Sequence, residues 1–262
     1  MTIDFHTHVF PDKIAEKAIA TLSFVSGGLV PSYDGTIKGL KNRMEQEQVD
    51  VSVVLNIATN EKQMHNVNDF AAAMNRDNVV AFGSVHPDAP NALEELERIK
   101  DLGLKGVKFH PEYQNFYVDD EKMRPIYRKI GELGLITVFH AGGDLGYSAP
   151  YHCEPKNALN ALAMFSSPVV LAHWGGYMRG EDVCRYLLGT DAYFDTSFGY
   201  GTLPRKYALE ILEKHGADKL LLGSDGPWHT VSQEKRFLAT LGLSNEETEK
   251  INHLNAEKLL KL

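Results

Sequence analysis

Short, nearly all-apolar runs recur along the chain, with polar–apolar stretches of helical period between most of them. The runs are Thr2–Phe5, Val51–Ile57, Val79–Val85, Leu104–Phe109, Leu135–Phe139, Val169–Ala172, Ala192–Asp195 and Lys219–Gly223. A run that is apolar at every position is what a strand needs when both of its faces are covered. Ala92-Leu93-Glu94-Glu95-Leu96-Glu97-Arg98-Ile99 is typical of the stretches between, with apolar residues three and four apart. Strands alternating with helices predict βαβ units and a parallel sheet. Eight such units in 262 residues match a closed (β/α)8 TIM barrel, a fold of about 250 residues. No linker or low-complexity tract divides the chain, so residues 1–262 are expected to form one domain.

The first connection is the longest. A helix is expected near Pro11–Leu22, then a loop through Ser26-Gly27-Gly28-Leu29-Val30-Pro31-Ser32, then a helix from Thr36 to about Gln48. The segment Ser23–Asp34 carries Phe24, Val25, Leu29, Val30 and Tyr33, which need burial, either over the barrel mouth or in a dimer. The tail from Ser244 to Leu262 reads as a helix, with Ser244 as N-cap and Glu247 three residues on.

Composition narrows the class. The chain has 27 basic and 35 acidic residues, a net charge of −8, which argues against nucleic acid as a partner. Two cysteines, Cys153 and Cys184, form no C-x-x-C and no disulfide framework, so a reducing compartment fits. The start, Met1-Thr2-Ile3-Asp4-Phe5-His6, lacks the layout of a signal peptide, and the apolar runs are too short to span a bilayer as helices. A cytoplasmic protein without a membrane partner is expected.

Candidate chemistry clusters where the strands end. His6 and His8 share one face at the end of the first strand, because strand side chains alternate. In a barrel that end is the active-site mouth, and two imidazoles there can hold one divalent cation. His140 ends strand five, His173 strand six and Asp225 strand eight. Imidazole and carboxylate are the ligands expected of Zn²⁺ or a similar ion. Polar residues that merely cap strands are the plainer explanation. Asp4, one step deeper than His6 on the same face, is a candidate for orienting an imidazole or a buried residue satisfied by backbone.

The order His-x-His, His, His, Asp at strands one, five, six and eight resembles the amidohydrolase superfamily. More narrowly it resembles the branch that includes aminocarboxymuconate-semialdehyde decarboxylase. The matching phrases are Ile3-Asp4-Phe5-His6-Thr7-His8, Gly106-Val107-Lys108-Phe109-His110-Pro111, Ala172-His173-Trp174-Gly175-Gly176, Gly223-Ser224-Asp225-Gly226-Pro227 and the tail from Ile251 to Leu260. The resemblance implies a metal-dependent hydrolase-type barrel. His6, His8, His140 and Asp225 would hold a single metal, Zn²⁺ first, with Mn²⁺, Co²⁺ or Fe²⁺ accepting the same ligands. His173 would contact substrate or the water on the metal, and Asp225 would also shuttle a proton. Members of the family are often homodimers.

Lys108 and His110 are the candidates for binding substrate. Lys108 shares a face with Gly106 and His110 at strand four. There it is either a free ammonium for an anionic group or, as in binuclear superfamily members, a carboxylated lysine bridging two metals. His86, Glu112 and Asp195 are further pocket candidates. His152 and His229 lie in later loops, and an exposed loop position is the usual alternative for residues of this group. His65, His215 and His253 fall in helical segments and are expected at the surface.

Two functions use this constellation. The first is hydrolysis of a small amide, lactone or ester by a metal-activated water. The second is non-oxidative decarboxylation of a small unsaturated or aromatic acid. A TatD-type metal nuclease would place glutamate where Lys108 stands. A catalytically dead barrel would keep costly buried ligands without use. Neither a dinucleotide fingerprint, a P-loop nor G-x-S-x-G is present.

Overall fold

A computed structural model describes residues 1–262. Its strands are β1 (Ile3–Thr7), β2 (Val51–Leu55), β3 (Val79–Phe82), β4 (Gly106–Phe109), β5 (Ile136–Phe139), β6 (Val169–Leu171), β7 (Tyr193–Asp195) and β8 (Leu220–Leu221). All eight expected strands are found, shorter at most ends than their apolar runs. Helices alternate with them: α1 (Asp12–Val25), α2 (Ile37–Glu47), α3 (Met64–Met74), α4 (Ala92–Asp101), α5 (Pro111–Gln114), α6 (Arg124–Leu133), α7 (Pro155–Leu162), α8 (Gly180–Tyr186), α9 (Arg205–Lys214) and α10 (Val231–Leu238), with α11 (Asn245–Glu249) and α12 (Asn255–Leu260) at the end.

Strands β1 to β3 pair in parallel, and so do β4 to β8. Two seams close these sets into a (β/α)8 barrel. At one, Gly83 donates to Gly106 O at 2.9 Å and Lys108 to Gly83 O at 2.8 Å. At the other, Phe5 donates to Leu222 O at 2.7 Å and His8 to Gly226 O at 2.6 Å.

The apolar runs divide between two cores, as alternation requires. Val53, Leu55, Phe82, Val138, Val170 and Leu221 fill the barrel, joined by Ala256, Leu259 and Leu260 of the last helix. Their strand neighbours Val54, Ala81, Val107, Phe139 and Leu171 face the helices instead. Gly106 is small for a packing reason: a methyl there would meet the Phe82 ring at 2.5 Å.

Local signals set the helix ends. The Thr36 hydroxyl accepts from Gly39 N, and Gln48 ends α2 in the left-handed region at φ 54°. Ser244 and Glu247 form a capping box, but the tail is not one regular helix, since a π turn at Lys250–Leu254 interrupts it. Helix α1 runs past Leu22 to Val25, with Ser26 N still donating to Leu22 O. Ser23, Phe24 and Val25 are therefore helical; Val25 and Leu29 of this segment line the cavity at the barrel mouth, while Phe24 and Val30 remain exposed. No helix is long and apolar enough to cross a membrane.

Candidate metal centre

The site starts from an irregularity in β1. Asp4 pairs with Ser52 and Thr7 with Val54, so β1 advances three residues while β2 advances two. A bulge of this kind re-aims side chains. Phe5 packs inside the barrel on Phe82, yet His6 and His8 also line the cavity at the barrel mouth. Of the two expectations for Asp4, the structure bears out the buried residue held by backbone, not the one that orients an imidazole. The Asp4 carboxylate accepts from Ser224 N at 2.9 Å, Ser224 Oγ at 2.6 Å and His6 N at 3.2 Å, and it touches no imidazole.

The residue that orients His6 is Asp195, at the end of β7. Its carboxylate accepts from His6 Nδ1 at 2.8 Å, from His173 N and Ser197 N at 3.1 Å each, and from the Ser197 hydroxyl. Room for this contact depends on Gly223, where a methyl would stand 3.0 Å from His6 Cβ and 3.2 Å from Asp195 Cβ.

Partners fix the tautomers, because a carbonyl or carboxylate oxygen only accepts. His6 Nδ1 carries its proton toward Asp195. His8 Nδ1 carries its own toward Leu55 O at 2.8 Å. Both Nε2 atoms are thus lone pairs, 3.1 Å from each other and 3.1 and 3.0 Å from Asp225 Oδ1. Burial, then the nearby Lys108 cation, pushes the His6 pKa well down, so a second proton does not relieve the crowding. Three electron-rich atoms held this close repel one another, and a divalent cation between them turns the repulsion into coordination. Nitrogen and oxygen ligands around tetrahedral Zn²⁺ lie about 3.3 Å apart. The residues present fit a metal.

His140 and His173 form a second pair on the same wall. His140 Nε2 donates to Gly143 O at 2.8 Å, which leaves Nδ1 as a lone pair 3.1 Å from His173 Nε2. His173 Nδ1 lies 2.7 Å from Ser197 Oγ. The ligand atoms of His6, His8 and Asp225 gather into one compact group, and His140 is not a member of it.

The turns that present His173 and Asp225 are strained. His173 and Trp174 have φ of 59° and 58°, and Asp225 has 60°. Each such non-glycine residue costs about 1–3 kcal/mol and persists only where the surroundings enforce it. Here Trp174 N donates to Asp195 O at 2.7 Å and its indole to Thr196 O at 2.8 Å. Gly226 N donates to Ser224 Oγ at 3.0 Å and to His6 O at 3.3 Å.

Lys108 and His110 both line the same cavity, of about 480 Å³. Lys108 is 1% exposed and its Nζ has no hydrogen-bond partner. Burial lowers its pKa to about 8, against the pull of Asp195 and Asp225. His110 stacks between Tyr113 and His140, with ring centroids 3.7 and 4.1 Å away. Its Nε2 is 3.4 Å from Asp144 Oδ2, and burial lowers its pKa to about 3.

The sequence model of the amidohydrolase family matches residues 3–262. The chain belongs to the amidohydrolase family. That family is metal-dependent. A comparison with curated proteins gives no match. Solved structures share the fold at low identity. One is 2,6-dihydroxybenzoate decarboxylase complexed with 2,6-dihydroxybenzoate, with TM-score 0.74 and 18% identity over 100% of this chain and 99% of that one. Another is a dihydroxybenzoic acid decarboxylase from Polaromonas with bound manganese and 2-nitroresorcinol, with TM-score 0.74 and 16% identity over 100% and 97%. A third is a probable 2-pyrone-4,6-dicarboxylic acid hydrolase from Acinetobacter baumannii with citric acid bound, with TM-score 0.70 and 18% identity over 100% and 99%.

The remaining sequence candidates, His86 and Glu112 among them, lie outside the cavity lining, and Glu112 accepts from His152 N at 2.6 Å. His152 and His229 are not free loop residues: they bond Pro111 O and Glu234. His65 is exposed as expected, but His253 is buried between Glu249 and Glu257. His215 is half-buried, stacked on Phe194, with Nε2 2.9 Å from Ala192 O. Helical position alone did not reveal which side these histidines take. Asp144, Ser197 and Asn56 escaped notice, since a lone polar residue in a loop carries no periodic signal.

Proposed function

We propose that the protein is a metal-dependent hydrolase of a small amide, lactone or ester that bears a carboxylate. The observation that carries this reading is the convergence of His6 Nε2, His8 Nε2 and Asp225 Oδ1 in a cavity that also holds the unpartnered ammonium of Lys108. His6, His8 and Asp225 would hold the ion, with Zn²⁺ as the first choice, and His140, which lies outside that group, would join as a fourth ligand only by moving toward it. Manganese in the Polaromonas decarboxylase keeps Mn²⁺ open. When bound, the ion acidifies water and polarises a carbonyl.

The chain's own groups do the rest. Lys108 pairs with the substrate carboxylate, a use that explains a buried cation left without a partner. His110, held neutral and stacked on Tyr113, forms a flat wall for a planar substrate. His173 faces the reacting carbonyl. Asp225 takes the proton from the attacking water and returns it to the leaving group. Unpaired cysteines, one of them buried, are in keeping with a cytoplasmic setting.

Decarboxylation of an aromatic acid is the second reading. The stacked His110–Tyr113 wall favours it, as do the decarboxylases among the proteins of similar fold. Isotopes separate the two. In H₂¹⁸O a hydrolase places ¹⁸O in its product. In D₂O a decarboxylase releases CO₂ and places deuterium on carbon. CO₂ release with no ¹⁸O in the organic product would overturn the hydrolase reading.

A further inference from the structure

The cavity lining joins the polar group His6, His8, Lys108, His173 and Asp225 to a larger apolar surface, in which Ser26, Gln63 and Asn66 also stand. Helix α1 supplies part of that apolar surface. Ala15 and Ile19 pack it on the body of the protein, while Ile14, Ala18, Leu22 and Val25 line the cavity instead. Spacings of four, four and three residues put these side chains on one stripe, about 16 Å long. Val67 and Phe70 of α3 supply another apolar wall. Beyond β5, Leu145 belongs to the lining and Gly146 lies against Val25, where a methyl would stand 3.8 Å from the Val25 Cβ. The loop after β5 and the end of α1 thus meet at the mouth, where Val25 and Leu145 are each 44% exposed.

Volume agrees with two parts. A cavity of roughly 150 Å³ suffices for benzene, and this one is about 480 Å³. A one-ring acid at the metal-site end leaves most of it unfilled. We propose that the substrate carries a medium-length alkyl or arylalkyl tail, which lies along the α1 stripe while its carboxyl end reaches Lys108. This deepens, and for the carboxyl end rests on, the function proposed above. Leu22 and Ala18 then select for tail length, because each methylene buried in the channel tightens binding about fourfold.

Saturated alkanoates test the channel without turnover, since neither hydrolysis nor decarboxylation of the proposed kind consumes them. Titration calorimetry of zinc-loaded protein with acetate, butyrate, hexanoate and octanoate should give affinity that climbs with length. Octanoate, four methylenes longer than butyrate, should bind about two-hundredfold tighter. In Leu22→Asp, with its thermal melt unchanged, that ratio should collapse below about tenfold. Ala18→Phe should weaken octanoate and leave butyrate alone. Equal affinities along the series, no octanoate binding, or a full ratio retained in Leu22→Asp would each overturn the proposal. A protein that binds octanoate in this graded way but catalyses neither reaction would instead sink the proposed function and leave the channel standing.

Discussion

The Nδ1 of His6 lies 2.8 Å from the Asp195 carboxylate, and both side chains are buried. The contact joins the end of β7 to the end of β1 and decides which nitrogen of His6 faces the cavity. Asp195 is thus a positioning residue whose removal should act through the imidazole. Asp195→Asn should keep the fold but weaken metal binding about 10- to 100-fold, the usual loss when such a partner is changed. Competition with a chelator would read this directly, and an affinity equal to wild type would show that the contact is structural only.

Asp225 bridges the two imidazoles and is assigned the proton relay. Asp225→Asn should leave the thermal melt within a few degrees and lower kcat by orders of magnitude, about the 10²- to 10⁴-fold that a positioned base contributes. Turnover near the wild-type rate would remove it from the mechanism.

Lys108 gives a pH dependence. Its pKa is lowered to about 8 by burial, so it is charged below that pH and neutral above. A carboxylate substrate should therefore lose affinity as pH rises through about 8, with KM increasing while kcat changes less. Lys108→Met should raise KM about tenfold or more and flatten this alkaline limb. Metal content gives a second readout. A fall from two equivalents to one in Lys108→Met would identify a carboxylated lysine bridging two ions.

Glu234 reports on stability. It is buried, accepting from Gly199 N at 2.9 Å, Tyr200 N at 3.1 Å and His229 Nδ1 at 2.7 Å. Burial raises its pKa above the model-peptide carboxyl value, against the pull of His229. The folded state then binds the proton more tightly than the unfolded one. Its contribution is most favourable below the unfolded pKa near 4.5 and declines as pH rises toward the folded value. Glu234→Gln should remove that decline. Denaturation curves between pH 4 and about 7 with the same slope in both proteins would refute the assignment.

Much of this was legible in the sequence. Apolar runs at every position of the strands announced a sheet covered on both faces, and inner and outer cores divide those runs residue by residue. His6, His8, His173 and Asp225 were visible because each follows an apolar strand. Of the two expectations for Asp4, the one in which it orients an imidazole did not hold, because alternation assumes an unbroken register and the bulge between Asp4 and Thr7 breaks it. Nothing local marks a bulge there. Asp195 stood in view at the end of β7, yet its partner His6 is 189 residues away, a distance no spacing rule spans. The cavity stripe on α1 was hidden for another reason: Ile14, Ala18, Leu22 and Val25 look like ordinary core positions until the helix is seen to have a second apolar face.

The central claim is that His6, His8 and Asp225 hold a metal. Elemental analysis of purified wild-type protein and of His6→Ala tests it most directly. The account predicts at least one equivalent of divalent metal per chain in the wild type, and its loss from a His6→Ala protein that still folds. Full metal occupancy in His6→Ala would contradict it.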